Sequence, residues 1–169
     1  MLTAIALGSN LPSAAGSPRQ TLEAAVLRLA ELGQVVAVSS CYETAPVGYA
    51  DQPTFLNAAA LLETTLNPEA LLARLLTIER DFGRDRSHGF PNGPRTLDLD
   101  LLLYGDLILD TSTLQLPHPR MHQRTFVLKP LIEIAPGLVH PVLRRTVGQL
   151  LKDLKKVEED QHRDPRYLA

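Results

Sequence analysis

The spacing of hydrophobic positions changes several times along the chain, and each change predicts an element. Leu2 to Leu7 is a short apolar run, read as a buried strand, and the turn cluster Gly8-Ser9-Asn10 ends it. Leu11 to Gly16 reads as loop. Ser17-Pro18 supplies an N-cap followed by proline at the first helical position. Leu22, Val26, Leu29 and Leu32 then recur at helical spacing, and Gly33 is placed to end the helix. Val35 to Tyr42 is rich in β-branched residues and predicts a strand. Glu43 to Pro53, broken by prolines and a glycine, predicts a loop, and Phe55 to Glu63 the next strand. Asn67-Pro68 repeats the cap-then-proline signal. Leu71, Leu72, Leu75 and Ile78 form the inner stripe of a second helix that ends near Phe82-Gly83.

Gly83 to Pro94 is the most irregular stretch, and such loops often carry function. A strand from Thr96 to Tyr104 follows. Gly105-Asp106 then predicts a tight turn that folds Leu107-Ile108-Leu109 back as a hairpin. Leu116 to Pro119 reads as extended. Thr125 to Ala135 predicts a helix stopped by Pro136. Thr146 to Val157 predicts a last amphipathic helix with Val147, Leu150, Leu151 and Leu154 inward. The charged residues 158–169 are expected to be a frayed tail. The order β-α-β-β-α-β is the split βαβ pattern. It predicts an α+β fold, a ferredoxin-like antiparallel sheet with an added hairpin strand and flanking helices.

The length, 169 residues, fits a single catalytic domain over 1–169. A net charge of -2 gives no basic excess for bulk nucleic-acid binding. Cys41 is the sole cysteine, which excludes an internal disulfide and a multi-cysteine metal site. The absence of a signal-like segment and of a bilayer-length apolar run leads one to expect a soluble, cytoplasmic protein, with no membrane partner.

The candidate chemistry centres on Leu97-Asp98-Leu99-Asp100-Leu101. In a strand, alternate side chains share a face, so Asp98 and Asp100 stand together, about 7 Å apart along the strand. Two such carboxylates raise each other's pKa unless a cation intervenes, and their oxygens suit Mg²⁺. A solvated strand face is the alternative. Arg84, Arg86 and Arg95 precede the pair; they are suited to clamp a polyphosphate, or else to form surface ion pairs. Glu79 shares the buried stripe of its helix and needs a partner there. His118 stands between two prolines, either aimed at a ligand or capping a turn. Phe55 near Asn57, and Phe126 near Arg124, could sandwich a flat heterocycle or simply fill core. There is no GxxxxGK[ST], GxGxxG or HExxH motif. On these residues alone, a non-catalytic ligand-binding module and a metal-dependent phosphohydrolase also stay open.

Gly93-Pro94-Arg95-Thr96-Leu97-Asp98-Leu99-Asp100 resembles the signature of the 6-hydroxymethyl-7,8-dihydropterin pyrophosphokinase family. Ala6 to Leu11, Thr44 to Gly48, Asp51 to Pro53, Phe55 to Ala58, Ile78-Glu79, Gly83-Arg84, Pro117 to Met121 and Arg124 to Val127 extend the likeness in the family's order. The resemblance implies transfer of the pyrophosphoryl group of ATP to the hydroxymethyl oxygen of the pterin, releasing AMP, in folate biosynthesis. It implies two Mg²⁺ ions on Asp98 and Asp100, with Arg84 and Arg95 sharing the catalytic work. It implies nucleotide contacts from Glu79, Arg84, Arg86, Arg95, Leu101, His118 and Arg124. It implies that Phe55 and Phe126 hold the pterin and Asn57 reads it, beside Thr44, Pro46, Val47 and Asp98. The partners are then the two small substrates, with no nucleic acid, and a monomer is expected. The chain departs from the family in three places. Asn92 stands where many members have tryptophan, with Phe90 as a replacement. The loop over residues 87–91 is slightly longer. Position 55 is Phe where Tyr also occurs.

Overall fold

In the computed structural model, which describes residues 1–163 and 166, the chain starts with β1 (Leu2–Ser9), a central strand. Helix α1 (Pro18–Leu29) opens on a capping box: Ser17 accepts from the Gln20 backbone N–H, and the Gln20 side chain accepts from the Ser17 N–H. Helix α2 (Pro68–Asp81) is capped by Asn67, whose Oδ1 accepts from the Ala70 N–H at 2.8 Å. Between them lie β2 (Gln34–Val38), β3 (Tyr42–Thr44) and β4 (Phe55–Glu63), and after α2 comes β5 (Asp98–Tyr104). The sheet order is β2-β4-β1-β5, with β3 also on β4, and every pairing is antiparallel. This is the ferredoxin-like arrangement that the order of elements predicts.

Each face of the sheet carries its own apolar layer. Leu22, Leu29, Leu71, Leu75 and Ile78 of α1 and α2 pack on Ile5, Leu7, Leu99 and Leu101. Helix α3 (Thr125–Ile134) and helix α4 (Val147–Arg163) cover the opposite face, where Val127, Leu131 and Leu150 meet Ala59, Leu61 and Leu102. Alternation in β5 sets Leu99 and Leu101 toward α2, and Asp98 and Asp100 away from it. The apolar half of the motif is thereby fixed in the core, and the acidic half is held at a definite position.

Four boundaries differ from the sequence reading. The strand expected over Val35–Tyr42 is two strands. At the break Ser39 donates its N–H to Ala59 O and accepts from the Ala59 N–H with its hydroxyl, both at 2.9 Å, so a side chain replaces a carbonyl in the ladder. The strand expected from Thr96 begins at Asp98, because the Leu97 carbonyl is taken by Arg84 Nη1 at 3.0 Å. The hairpin expected after Gly105 does not pair with β5. Instead β6 (Leu109–Asp110) pairs with β7 (Gln115–Leu116) in a separate ribbon, anchored by the buried Leu114 and Leu116. The stretch Glu158–Arg163, expected to fray, continues α4; the rest of that tail, apart from Arg166, lies outside the described residues. A short ribbon of β8 (Val139–His140) and β9 (Arg145–Thr146) precedes α4. Among the described residues no helix is long and apolar enough to cross a membrane.

Candidate active site

Two cavities meet at β5. The first, of about 300 Å³, lies on the α3 side of the strand. Phe55, the first residue of β4, and Phe126, in the first turn of α3, contribute its rings, and Asn57, the third residue of β4, faces it beside β3. Asn57 is buried and donates to Thr44 Oγ1, which fixes the orientation of its amide. Gly8 makes room for it: a Cβ there would lie 3.3 Å from Asn57 Oδ1. Ala45 and Val47 form the outer wall, whereas Pro46, between them, is not among the lining residues. Both rings carry a guanidinium, Arg95 at 5.0 Å from the Phe55 centroid and Arg124 at 5.5 Å from that of Phe126. The phenylalanines therefore face a polar cavity and are not plain core filling.

The second cavity, of about 740 Å³, runs along the open edge of β5. Leu72 and Leu76 of α2 face Leu99, Asp100 and Leu101 of the strand. The turn between β6 and β7, Thr111 to Gln115, closes it together with Arg86, His118 and Pro119. The turn is not singled out by the sequence reading; its signal is the hydroxyl run Thr111-Ser112-Thr113. His118 Nδ1 accepts from the Arg120 N–H at 3.1 Å, so the residue both caps its turn and lines the cavity. Burial, with the positive charge of Arg124 next, holds its pKa down at about 4 from the usual 6.5. The imidazole is thus neutral near pH 7. Below pH 6.5 the unfolded chain gains a proton that the folded protein refuses until about pH 4, so stability falls as pH drops through that window. His118→Gln is expected to flatten the melting temperature profile between pH 6.5 and 4. An unchanged slope would remove His118 as its cause.

Asp98 lines the first cavity and Asp100 the second. Arg84 Nη1 lies 3.2 Å from Asp98 Oδ1, Arg95 Nε 3.7 Å from Asp98 Oδ2, and Arg124 Nη1 3.9 Å from Asp100 Oδ2. Arg124, at 3.9 Å, is too far to hydrogen-bond Asp100. Burial and then the charge of Asp98 push Asp100 up to about 7, against the pull of Arg124. Arg95 Nε is buried and makes no hydrogen bond. Glu79, 1 % exposed, lines neither cavity. Its carboxylate accepts from Arg86 Nη2 at 2.7 and 3.0 Å and from the Leu99 N–H at 3.4 Å, which makes it an orienter of the arginine loop. Burial raises its pKa, with Asp98 adding to the effect.

The donor set fits a hard divalent cation. Asp98 and Asp100 bring two carboxylates to one face of β5, and the described residues hold no cluster of three or more His, Cys, Asp or Glu ligands. Mg²⁺ retains water and takes one or two carboxylates plus substrate phosphates. A phosphate oxygen would also give an acceptor to Arg95 Nε, which faces Asp98 Oδ2 at 3.7 Å without a hydrogen bond.

Three loops converge above the pair. Asn10, 3 % exposed, accepts from the Arg95 N–H at 2.9 Å and donates to Gln52 Oε1 and Pro53 O, each at 3.0 Å. Gln52 Nε2 donates onward to Asn92 O at 2.7 Å. Asn92 has φ 60, and Gly48, at φ 87, packs so closely that a Cβ there would meet Asn92 Nδ2 at 3.0 Å. Phe90 meets Tyr49 edge to face at 5.1 Å. The sequence reading missed Asn10, Gln52 and Tyr49.

Residues 4–136 match the family model of 7,8-dihydro-6-hydroxymethylpterin-pyrophosphokinase (HPPK). This chain belongs to the HPPK family. It is 46 % identical over 144 residues to the 2-amino-4-hydroxy-6-hydroxymethyldihydropteridine pyrophosphokinase of Haemophilus influenzae, covering 83 % of this chain and 86 % of that protein. The enzyme of the same name from Bacillus subtilis is 48 % identical over 130 residues, covering 77 % and 75 %. The folic acid synthesis protein fol1 of Pneumocystis carinii is 42 % identical, with 89 % of this chain matching 20 % of that longer protein. The crystal structure of wild-type Plasmodium falciparum HPPK-DHPS with pteroate shares the fold, with a TM-score of 0.71 at 16 % identity over 96 % of this chain and 44 % of that one. The HPPK match includes both rings, the acidic pair and all four site arginines, and it ends before β8, β9 and α4.

Proposed function

We propose that the two cavities hold the two substrates of the HPPK reaction, with β5 as the boundary between them. The reaction is pyrophosphoryl transfer to hydroxymethyldihydropterin in folate synthesis, with ATP as co-substrate. The observation that carries the division is that the two acids, neighbours on one face of β5, line different cavities: Asp98 opens to the ring-lined cavity and Asp100 to the larger one. A flat pterin suits the space between Phe55 and Phe126, where the oriented Asn57 amide reads its polar edge. The larger cavity, with its apolar leucine wall and its hydroxyl-rich turn, suits the nucleotide.

Asp98 and Asp100 would hold Mg²⁺, two ions in our reading, and bound metal supplies charge neutralisation on the phosphates. The chain's own residues do the rest. Arg84 and Arg95 approach Asp98 from the loop side and receive phosphate oxygens, Arg95 with its unpartnered Nε. Arg86, held by Glu79, guards the nucleotide side. Arg124 spans from the Phe126 ring to Asp100 and so links the two substrates. The catalytic work is positioning and charge stabilisation, with no covalent enzyme intermediate. AMP is expected from ATP and Mg²⁺ only when hydroxymethyldihydropterin is added. Pterin-independent phosphate release would mark a hydrolase, and pterin binding without AMP would mark a binding module.

A further inference from the structure

The C-terminal helix reaches the ring-lined cavity. Helix α4 packs on α3 through Val147, Leu150 and Leu151, and from Lys155 to Arg163 all of its residues are exposed. Yet Glu158, in that exposed part, lines the cavity beside Gln123, Arg124 and Thr125. Thr125 Oγ1 donates to Glu158 Oε1 at 3.3 Å. Thr125 is the first residue of α3; its neighbours are Phe126, one of the two rings, and Arg124, which approaches Asp100. Helix α3 has no side-chain cap of its own and no acidic residue in its first turn. The group that ties down this turn is therefore borrowed from α4, one helix away and beyond the span of the family match.

We propose that Glu158 is a positioning residue for the pterin: through Thr125 it sets the placement of Phe126 and closes the rim of the cavity. The inference rests on the pterin reading of that cavity. Glu158 lines the ring-lined cavity and not the nucleotide cavity, so its effect falls first on the pterin. One hydrogen bond of ordinary net strength at the exposed rim corresponds to about a fivefold effect. Helix α4 keeps its buried apolar face in any variant at this position, and folding is not at stake.

The test is steady-state kinetics and pterin calorimetry on the full chain, comparing the parent with Glu158→Ala, Glu158→Gln and Glu159→Ala. Glu158→Ala is expected to raise the pterin KM and Kd about fivefold, with ATP KM and kcat unchanged. Glu158→Gln, which keeps an acceptor, is expected to restore most of that loss, and Glu159→Ala to match the parent. A pterin Kd in Glu158→Ala within 1.5-fold of the parent, or equal changes in the parameters of both substrates, would overturn the assignment. A parent that binds no pterin at all would overturn the functional reading and this inference with it.

Discussion

Replacing Asp98 or Asp100 by alanine is expected to cut turnover by about 10³-fold or more, measured as AMP formation at saturating substrates and Mg²⁺. A bound divalent ion contributes several kcal/mol of charge stabilisation, and each ~1.4 kcal/mol is tenfold in rate. No arginine takes over that role: Arg84 and Arg95 are already engaged with Asp98, and Arg124 stands 3.9 Å from Asp100. The fold should be untouched. Both side chains remain partly exposed, at 22 % and 31 %, and the leucines that alternate with them carry the packing. Removing one carboxylate also removes repulsion on the other. Thermal melts of Asp100→Ala should therefore hold or rise while activity falls, whereas Asp98→Ala also strips Arg84 of its 3.2 Å partner and gives up that gain. A variant retaining a tenth of the parent turnover would refute the metal role, and loss of cooperative unfolding would make the pair structural instead.

Arg95→Ala is expected to lower kcat by about 10²–10³-fold while weakening pterin binding by less than tenfold. The larger figure is typical for loss of one aimed donor in a water-poor site. The smaller follows from the contact of Arg95 with Phe55 at 5.0 Å, a cation–π interaction of about 0.5–1 kcal/mol near a surface. The buried, unpartnered Nε identifies which effect dominates: the ring contact is already made without substrate, whereas that donor still lacks an acceptor. Lysine should not rescue the rate, because a point charge lacks the planar fork. Single-turnover rates beside pterin calorimetry separate the two effects. Equal losses in both would make Arg95 a binding residue only.

What could be read in the sequence was local. The caps at Ser17 and Asn67 and the bounds of β4 follow from side chains that act within a few positions of themselves. The acid pair was legible because strand alternation is a property of five consecutive residues. The errors share a different origin. The break after Val38 depends on Ala59, and the late start of β5 depends on Arg84; both partners are distant in sequence. The link through Asn10, Gln52 and Asn92 was hidden for a related reason. Polar residues in turn-rich segments read as turn formers, and nothing local says that they bond to one another. Glu158 was hidden among charged residues that a solvated helix end would carry in any case.

The contact between Gly48 and Asn92 restricts what the loop can become. A left-handed backbone suits asparagine, and is a true outlier for a bulky residue such as tryptophan. A Cβ on the glycine facing it would press to 3.0 Å on the asparagine side chain, and its own φ of 87 strains any other residue. Placing a tryptophan at position 92 would thus demand a new path for its own loop and a retreat of the opposite one. The two positions form one structural unit: rebuilding the backbone at either one displaces the other.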